Sequence, residues 1–286
     1  MHSLLINHPV QYQVRCQKIC LFFRQDINKF VLFLSDIFNW TTDKMNVQRY
    51  QRQILVKGLD KQGQEILSKK HIVIIGGGGL GSNSSEILVR LGVGRIDVVD
   101  DDPVELTNLH RTSLFNEEDM GLYKCQVLEE KLKKINSEIT IKGVKKRATK
   151  ENILSIVKNA DIILDGTDNM QTRFLINDIS IKNNIPWIYA GVYSAVGMVM
   201  GIIPKKTPCL KCISQSIPEK TEEIPVLGNL PLTTASIQCI EAIKLLLGKQ
   251  LSGLIIYDIW KQQFEKININ KNPKCSCCNS EIFKFL

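Results

Sequence analysis

Residues 71–81 read HIVIIGGGGLG, a short apolar run followed at once by four consecutive glycines. Nothing else in the 286 residues restricts the fold as strongly. An uninterrupted Ile/Val run suits a strand covered on both faces, as in a parallel sheet. Gly76, Gly78 and Gly81 give the spacing GxGxxG. Alone that pattern is weak, since a tight turn can bind nothing. Between a strand and a helix it has a mechanism: the glycines let the backbone turn sharply and approach a phosphate, and the helix start supplies free N–H groups. The GxxxxGK[ST] signature is absent, which excludes a Walker-type ATPase.

The chain beyond residue 47 keeps alternating. Strands are expected over 71–76, 95–100, 139–144, 161–165, 187–190, 197–203, 254–257 and 264–269. Helices are expected over 83–92, 124–136, 170–184 and 233–247, with a loop over 213–232. Strands separated by helices of this length predict an α/β fold: a Rossmann-like, doubly wound, mostly parallel sheet with helices on both faces and late C-terminal strands. There is no internal repeat, and residues 45–286 are expected to form one domain.

Residues 1–44 differ. Their apolar stretch is broken by Arg24, Asp26 and Lys29, so no run approaches the ~20 residues of a membrane span. Phe30, Val31, Leu34, Ile37 and Phe38 recur at helical spacing. Two readings stand: a helical extension that binds a substrate or partner, or a natural start at Met45. Hydrophobic residues at 44% and charged residues at 23% exclude a disordered, collagen-like or multi-span membrane chain. The net charge of +8 is dispersed, and its densest run, at 142–150, reads as solvated surface rather than a nucleic-acid patch.

Nine cysteines include two CxxC pairs, Cys209/Cys212 and Cys275/Cys278. No cleavable signal peptide is evident, so a reducing, cytoplasmic setting is expected, where such pairs indicate metal or redox chemistry. Four thiolates match a closed, tetrahedral structural Zn²⁺ site. Cys277 lies inside the second pair and leaves its register ambiguous; the CxxC spacing favours Cys275 and Cys278. Cys16, Cys20, Cys125 and Cys239 sit in apolar or helical contexts and are expected to pack.

The glycine turn by itself suggests NAD. Asp100, ending the next strand, suits ribose hydroxyls. Asn108, Arg111 and Lys124 follow, and the strand at 161–165 runs into Asp168 and Asn169. Taken singly, Lys124 is a helix-surface charge and Asp168–Asn169 a helix cap. Together they supply cations for a triphosphate and a carboxylate for its Mg²⁺, which favours ATP.

This constellation resembles the ThiF/MoeB/HesA family, prokaryotic relatives of the ubiquitin-activating E1 enzymes. The likeness rests on RYQRQ at 49–53, GGGGLGS, VVDDDPVELTNLHR, Lys124, TDN with Arg173 behind it, PCLKC and NPKCSCC. It implies adenylation by ATP-Mg²⁺ of the C-terminal carboxylate of a small protein or peptide. Gly76, Gly78, Gly79, Gly81, Asp100, Thr107, Asn108, Leu109, His110, Arg111, Lys124, Asp168 and Asn169 would bind the nucleotide, with Asp168 on Mg²⁺. Arg52, Arg111, Lys124 and Asp168 would be catalytic. Arg52 would reach the partner subunit's site, so the resemblance implies a homodimer. The chain departs from the thiamin- and molybdopterin-type pattern in one respect: no cysteine lies between Cys212 and Cys239. A small ubiquitin-like sulfur-carrier protein is the first acceptor to consider, and a short ribosomal peptide, as in microcin-type synthesis, the second. A non-catalytic E1-like scaffold is the remaining class. The loop at 213–232 is expected to keep water from the acyl-adenylate.

Overall fold

The computed structural model describes residues 47–214 and 225–286. The expected N-terminal helix, Cys16, Cys20 and the centre of the loop expected over 213–232 lie outside them. In chain order the elements are α1 (Asp60–Leu67), β1 (His71–Ile75), α2 (Gly79–Leu91), β2 (Arg95–Val99), α3 (Leu106–Leu109) and α4 (Lys124–Ile135). Then come β3 (Thr140–Val144), α5 (Ile153–Val157), β4 (Ile162–Asp165), α6 (Met170–Asn183), β5 (Trp187–Tyr193) and β6 (Val196–Ile202). α7 (Leu210–Ile213), α8 (Leu230–Leu246), β7 (Leu254–Asp258) and β8 (Gln263–Ile267) complete them.

The strands form one eight-stranded sheet, ordered β3-β2-β1-β4-β5-β6-β7-β8. Pairing is parallel from β3 to β5 and antiparallel from β5 to β8. The period-2 pleat explains why β1 is apolar throughout. Ile72 and Ile74 pack with Leu88 of α2, Leu128 and Leu132 of α4 and Cys239 and Ala242 of α8. Val73 and Ile75 pack on the other face with Ile153 of α5 and Phe174 and Ile179 of α6. Both faces are thus covered, as the sequence predicts. β8 carries only exposed residues and closes the far edge.

The expected loop over 213–232 needs correction at both ends. Ile213 belongs to α7, and Leu230–Leu232 already lie in α8. Pro231 is accommodated in the first helical turn, where its missing N–H would have no helical acceptor anyway.

One charged cluster holds the amino edge. Asp97 of β2 lies 3.3 Å from His71 Nε2 and receives two hydrogen bonds from Arg95, at 2.9 and 2.8 Å. Burial acts to raise its pKa, but the His71 and Arg95 donors outweigh that and hold it at about 2. The folded pKa is below the unfolded value near ~3.9. The contribution is therefore full above pH ~4 and is lost as pH falls towards 2. At about 1.4 kcal/mol per pKa unit it amounts to roughly 2–3 kcal/mol. Denaturant titrations of wild type and Asp97→Asn should differ by about this much at pH 6, and the gap should at least halve by pH 2.5. An unchanged gap contradicts the assignment.

Candidate nucleotide and metal sites

The carboxyl edge of the parallel strands is built around two glycine segments in contact. Gly76 leaves β1 with φ +94°, and a methyl group there would lie 2.5 Å from the Gly166 carbonyl oxygen. A methyl group on Gly81 would lie 1.8 Å from the Gly76 oxygen. Only glycine fits either position, and the fit locks the turn after β1 against the loop after β4. α2 then starts at Gly79, with Gly78 as its cap residue and open space around it. Free N–H groups and the positive end of the helix dipole face that space.

Asp100 follows β2 and accepts hydrogen bonds from the Gly77 and Asp102 N–H groups, at 2.6 and 2.8 Å. Burial pushes its pKa up; the Gly77 bond and the charge of Lys124 act against that. The Arg111 side chain lies against Gly79, within 3.3 Å of where a methyl group would sit, and donates to the Thr107 carbonyl. Lys124 opens α4, is nearly buried and sits 3.4 Å from Asp102. Thr107 and His110 are exposed and Leu109 is half-buried. Asn108 is buried, and its Oδ1 accepts the Glu105 N–H at 3.0 Å, so that side chain shapes α3.

Asn169 caps α6 by accepting the Thr172 N–H at 2.9 Å. Asp168 does not cap it: its carboxylate stays exposed and takes one bond from Asn169 Nδ2 at 3.3 Å. The loop bearing it rests on a buried pair: the sequence singles out Arg173 behind the TDN motif, but its pairing with Asp165 was missed. Arg173 Nε donates to Asp165 at 3.0 Å and Nη2 to the Thr167 carbonyl at 2.7 Å. Thr167 adds its own N–H and hydroxyl bonds to Asp165. Gln238 of α8 was also missed. Its Nε2 donates to the Asp165 and Ile188 carbonyls, and its Oε1 accepts from Ser84 of α2. The one available signal was the run of polar residues along otherwise apolar helices.

Arg52 does not join this group. It is exposed, and the neighbouring Gln53 bonds the Leu91 carbonyl at the far end of α2. At 1.5 Å per residue that end is about 18 Å from Gly79.

The cysteine pairs do meet. Cys209 Sγ is 3.6 Å from Cys275 and 4.0 Å from Cys212; Cys212 is 3.5 Å from Cys278. All four sulfurs lie within 4.8 Å of one another. A Zn–S length of about 2.3 Å in a tetrahedron requires sulfurs about 3.8 Å apart, so the donor set is compatible with zinc. Cys277 is not one of that set: it donates to Asp178 and accepts from Asn177. Cys125 and Cys239 are buried, and burial pushes the Cys239 thiol up to about 12.

Sheet, glycine turn, flanking cations and exposed carboxylate define a nucleotide-binding α/β enzyme. The ThiF family model matches residues 50–277, and the chain belongs to that family. It is 34% identical over 255 residues to the sulfur carrier protein adenylyltransferase of Thermus thermophilus, covering 85% of this chain and 93% of the relative. It is also 34% identical over 246 residues to the sulfur carrier protein ThiS adenylyltransferase of Bacillus subtilis, covering 83% and 73%. Among solved structures, Escherichia coli MccB with MccA-N7isoASN superposes with a TM-score of 0.73 at 25% identity, covering 83% of this chain and 76% of that one. This chain is an E1-like, ATP-dependent adenylyltransferase. Among the described residues no helix is long and apolar enough to cross a membrane.

Proposed function

We propose that the chain activates the C-terminal carboxylate of a small ubiquitin-like sulfur-carrier protein. The acceptor carboxylate attacks the α-phosphorus of ATP, the bond to the β-phosphate oxygen breaks, and an acyl-adenylate and pyrophosphate result. The observation that carries this reading is the meeting, at one sheet edge, of the open α2 start with Arg111, Lys124 and the Asp168 loop. Two anions must approach each other there. Gly78, Gly79 and the α2 dipole hold phosphate oxygens, Asp100 holds the ribose, and Arg111 and Lys124 offset charge that grows on the leaving group. Asp168 is the ligand offered to Mg²⁺, which when bound would polarise the phosphates. An ionised C-terminal carboxylate needs no general base. The buried Cys239 has neither the access nor the thiolate character of a relay nucleophile, so adenylation is the step assigned here.

The four-thiol cluster is assigned to structural Zn²⁺. It ties α7 to the 275–278 segment and requires a reducing compartment, which we take to be the cytoplasm. A homodimer is part of the proposal: Arg52 is exposed beside the exposed apolar side chains Leu55 and Val56.

The test is isotope exchange between pyrophosphate and ATP. Exchange should depend on a carrier protein ending in Gly-Gly and vanish when its last residue is deleted. Exchange driven instead by a short peptide such as MccA, but by no carrier protein, would reverse the order of the two acceptors. No exchange with either would remove the catalytic reading.

A further inference from the structure

Asn83 sits in the second turn of α2, where alanine or leucine would favour the helix more. It is 1% exposed, and a buried amide is unfavourable unless its polar atoms are bonded. They are. Nδ2 donates to the Gly79 carbonyl at 2.7 Å and to the Arg111 carbonyl at 3.1 Å. Oδ1 accepts the Ser113 N–H at 3.3 Å and lies 2.9 Å from the Ser113 hydroxyl, which also reaches Glu86. Carbonyls at one end and donors at the other leave the amide a single orientation.

One of those partners, the Gly79 carbonyl, belongs to the first turn of α2. The others lie in the segment from Arg111 to Ser113, 28 to 30 residues further along the chain. Asn83 therefore fastens the stretch that carries Arg111 to the helix start behind the glycine turn. The rest of Arg111 is arranged around that anchor. Its main-chain N–H donates to the Asn108 carbonyl at 3.1 Å. Its Cδ and Cγ lie 3.3 and 3.4 Å from where a methyl group on Gly79 would sit, and its guanidinium donates to the Thr107 carbonyl. An arginine side chain has much rotamer freedom. With its main chain tied to α2, its stem stays against the helix start.

We infer that Asn83 is a positioning residue: it sets where Arg111 stands relative to the phosphates held at the start of α2. The inference rests on the acyl-adenylation reading for the role of Arg111. An arginine that offsets charge growing on the leaving pyrophosphate acts more in the transition state than in bound ATP. Misplacing it by about 1 Å should therefore lower kcat by roughly 10–10²-fold and change ATP affinity little. A residue that served only the stability of α2 would not produce that split.

The test is a double-mutant cycle on the full-length protein, with a carrier protein ending in Gly-Gly as acceptor. Pyrophosphate exchange, ATP affinity and thermal midpoint are compared in wild type, Asn83→Ala, Arg111→Ala and the double variant. Asn83→Ala should lower kcat at least tenfold, with ATP affinity within threefold of wild type. In the Arg111→Ala background the same substitution should cost less than threefold, because no guanidinium is left to misplace. Ser113 is exposed, so Ser113→Ala keeps the fold. It should give a smaller loss with the same dependence on Arg111, and it decides the matter if Asn83→Ala does not fold. Ser85→Ala is the control: Ser85 is buried on the same helix but bonds the Ser82 carbonyl at 2.7 Å instead of the Arg111 segment. It should lower the thermal midpoint and leave kcat alone. Wild-type kcat in Asn83→Ala, an equal loss with and without Arg111, or the same loss in Ser85→Ala overturns the inference and leaves the adenylation reading in place. Wild-type exchange in Arg111→Ala, or none in the wild-type protein, would sink the adenylation role of Arg111 first and the inference with it.

Discussion

Asp168→Ala is expected to lower acceptor-dependent pyrophosphate exchange by about 10²–10³ while leaving the fold intact. The carboxylate is exposed and, among the described residues, bonds Asn169 Nδ2 alone, so its loss costs little stability. The loop that presents it is held from beneath by Asp165 and Arg173, which the substitution does not touch. Retained exchange with unchanged Mg²⁺ dependence would contradict the assignment. The same variant tests the dimer. Arg52 lies near the far end of α2 from its own cradle, so a role on the phosphates requires the second subunit. Arg52→Ala and Asp168→Ala should each be inactive, and mixing them with subunit exchange should restore activity. A heterodimer has one site with both lesions and one with neither. Random assortment gives about half heterodimers, so roughly a quarter of wild-type sites should recover under two-fold symmetry. No recovery despite proven exchange of subunits would mean that Arg52 acts within its own subunit or not at all.

The second large effect concerns the thiol cluster. Purified protein should hold about one Zn²⁺ per chain. Stripping it, or Cys209→Ala, should cost about 3–5 kcal/mol, because four sulfurs packed at metal-ligand spacing lose the ion that holds them together. For a domain of this size that corresponds to a fall in thermal midpoint of roughly 10 °C or more. Cys277→Ala should keep the metal, since its sulfur lies outside the four-sulfur set and is held by Asp178 and Asn177. Less than a third of an equivalent of zinc, with wild-type stability in Cys209→Ala, would remove the metal from the proposal.

Much of the site was legible because its parts are local. GGGGLG after an Ile/Val run specifies a turn that side chains would block, and Gly76 and Gly81 are blocked in just that sense. CxxC spacing places two thiolates one turn apart wherever the segment lies. The pairs that hold the site in place were harder to see. Asp165 reads as the end of a strand and Arg173 only as the residue behind the TDN motif until β4 and α6 bring them within 3.0 Å. Gln238 looks like a polar residue on an apolar helix until α8 lies across β4 and β5.

By itself the sequence determined the kind of fold, the glycine turn, the cations and carboxylate that follow it, and the two CxxC pairs, because periodicity, steric exclusion at glycine and donor chemistry act over a few residues. Only the tertiary structure decided which cysteine of 277 and 278 joins the cluster, that Asn169 caps its helix while the Asp168 carboxylate stays exposed, and that Arg52 stands apart from the glycine turn. Those outcomes depend on contacts between segments tens to a hundred residues apart. Their geometry is set by how the sheet and its two helical layers pack, and no local pattern encodes it.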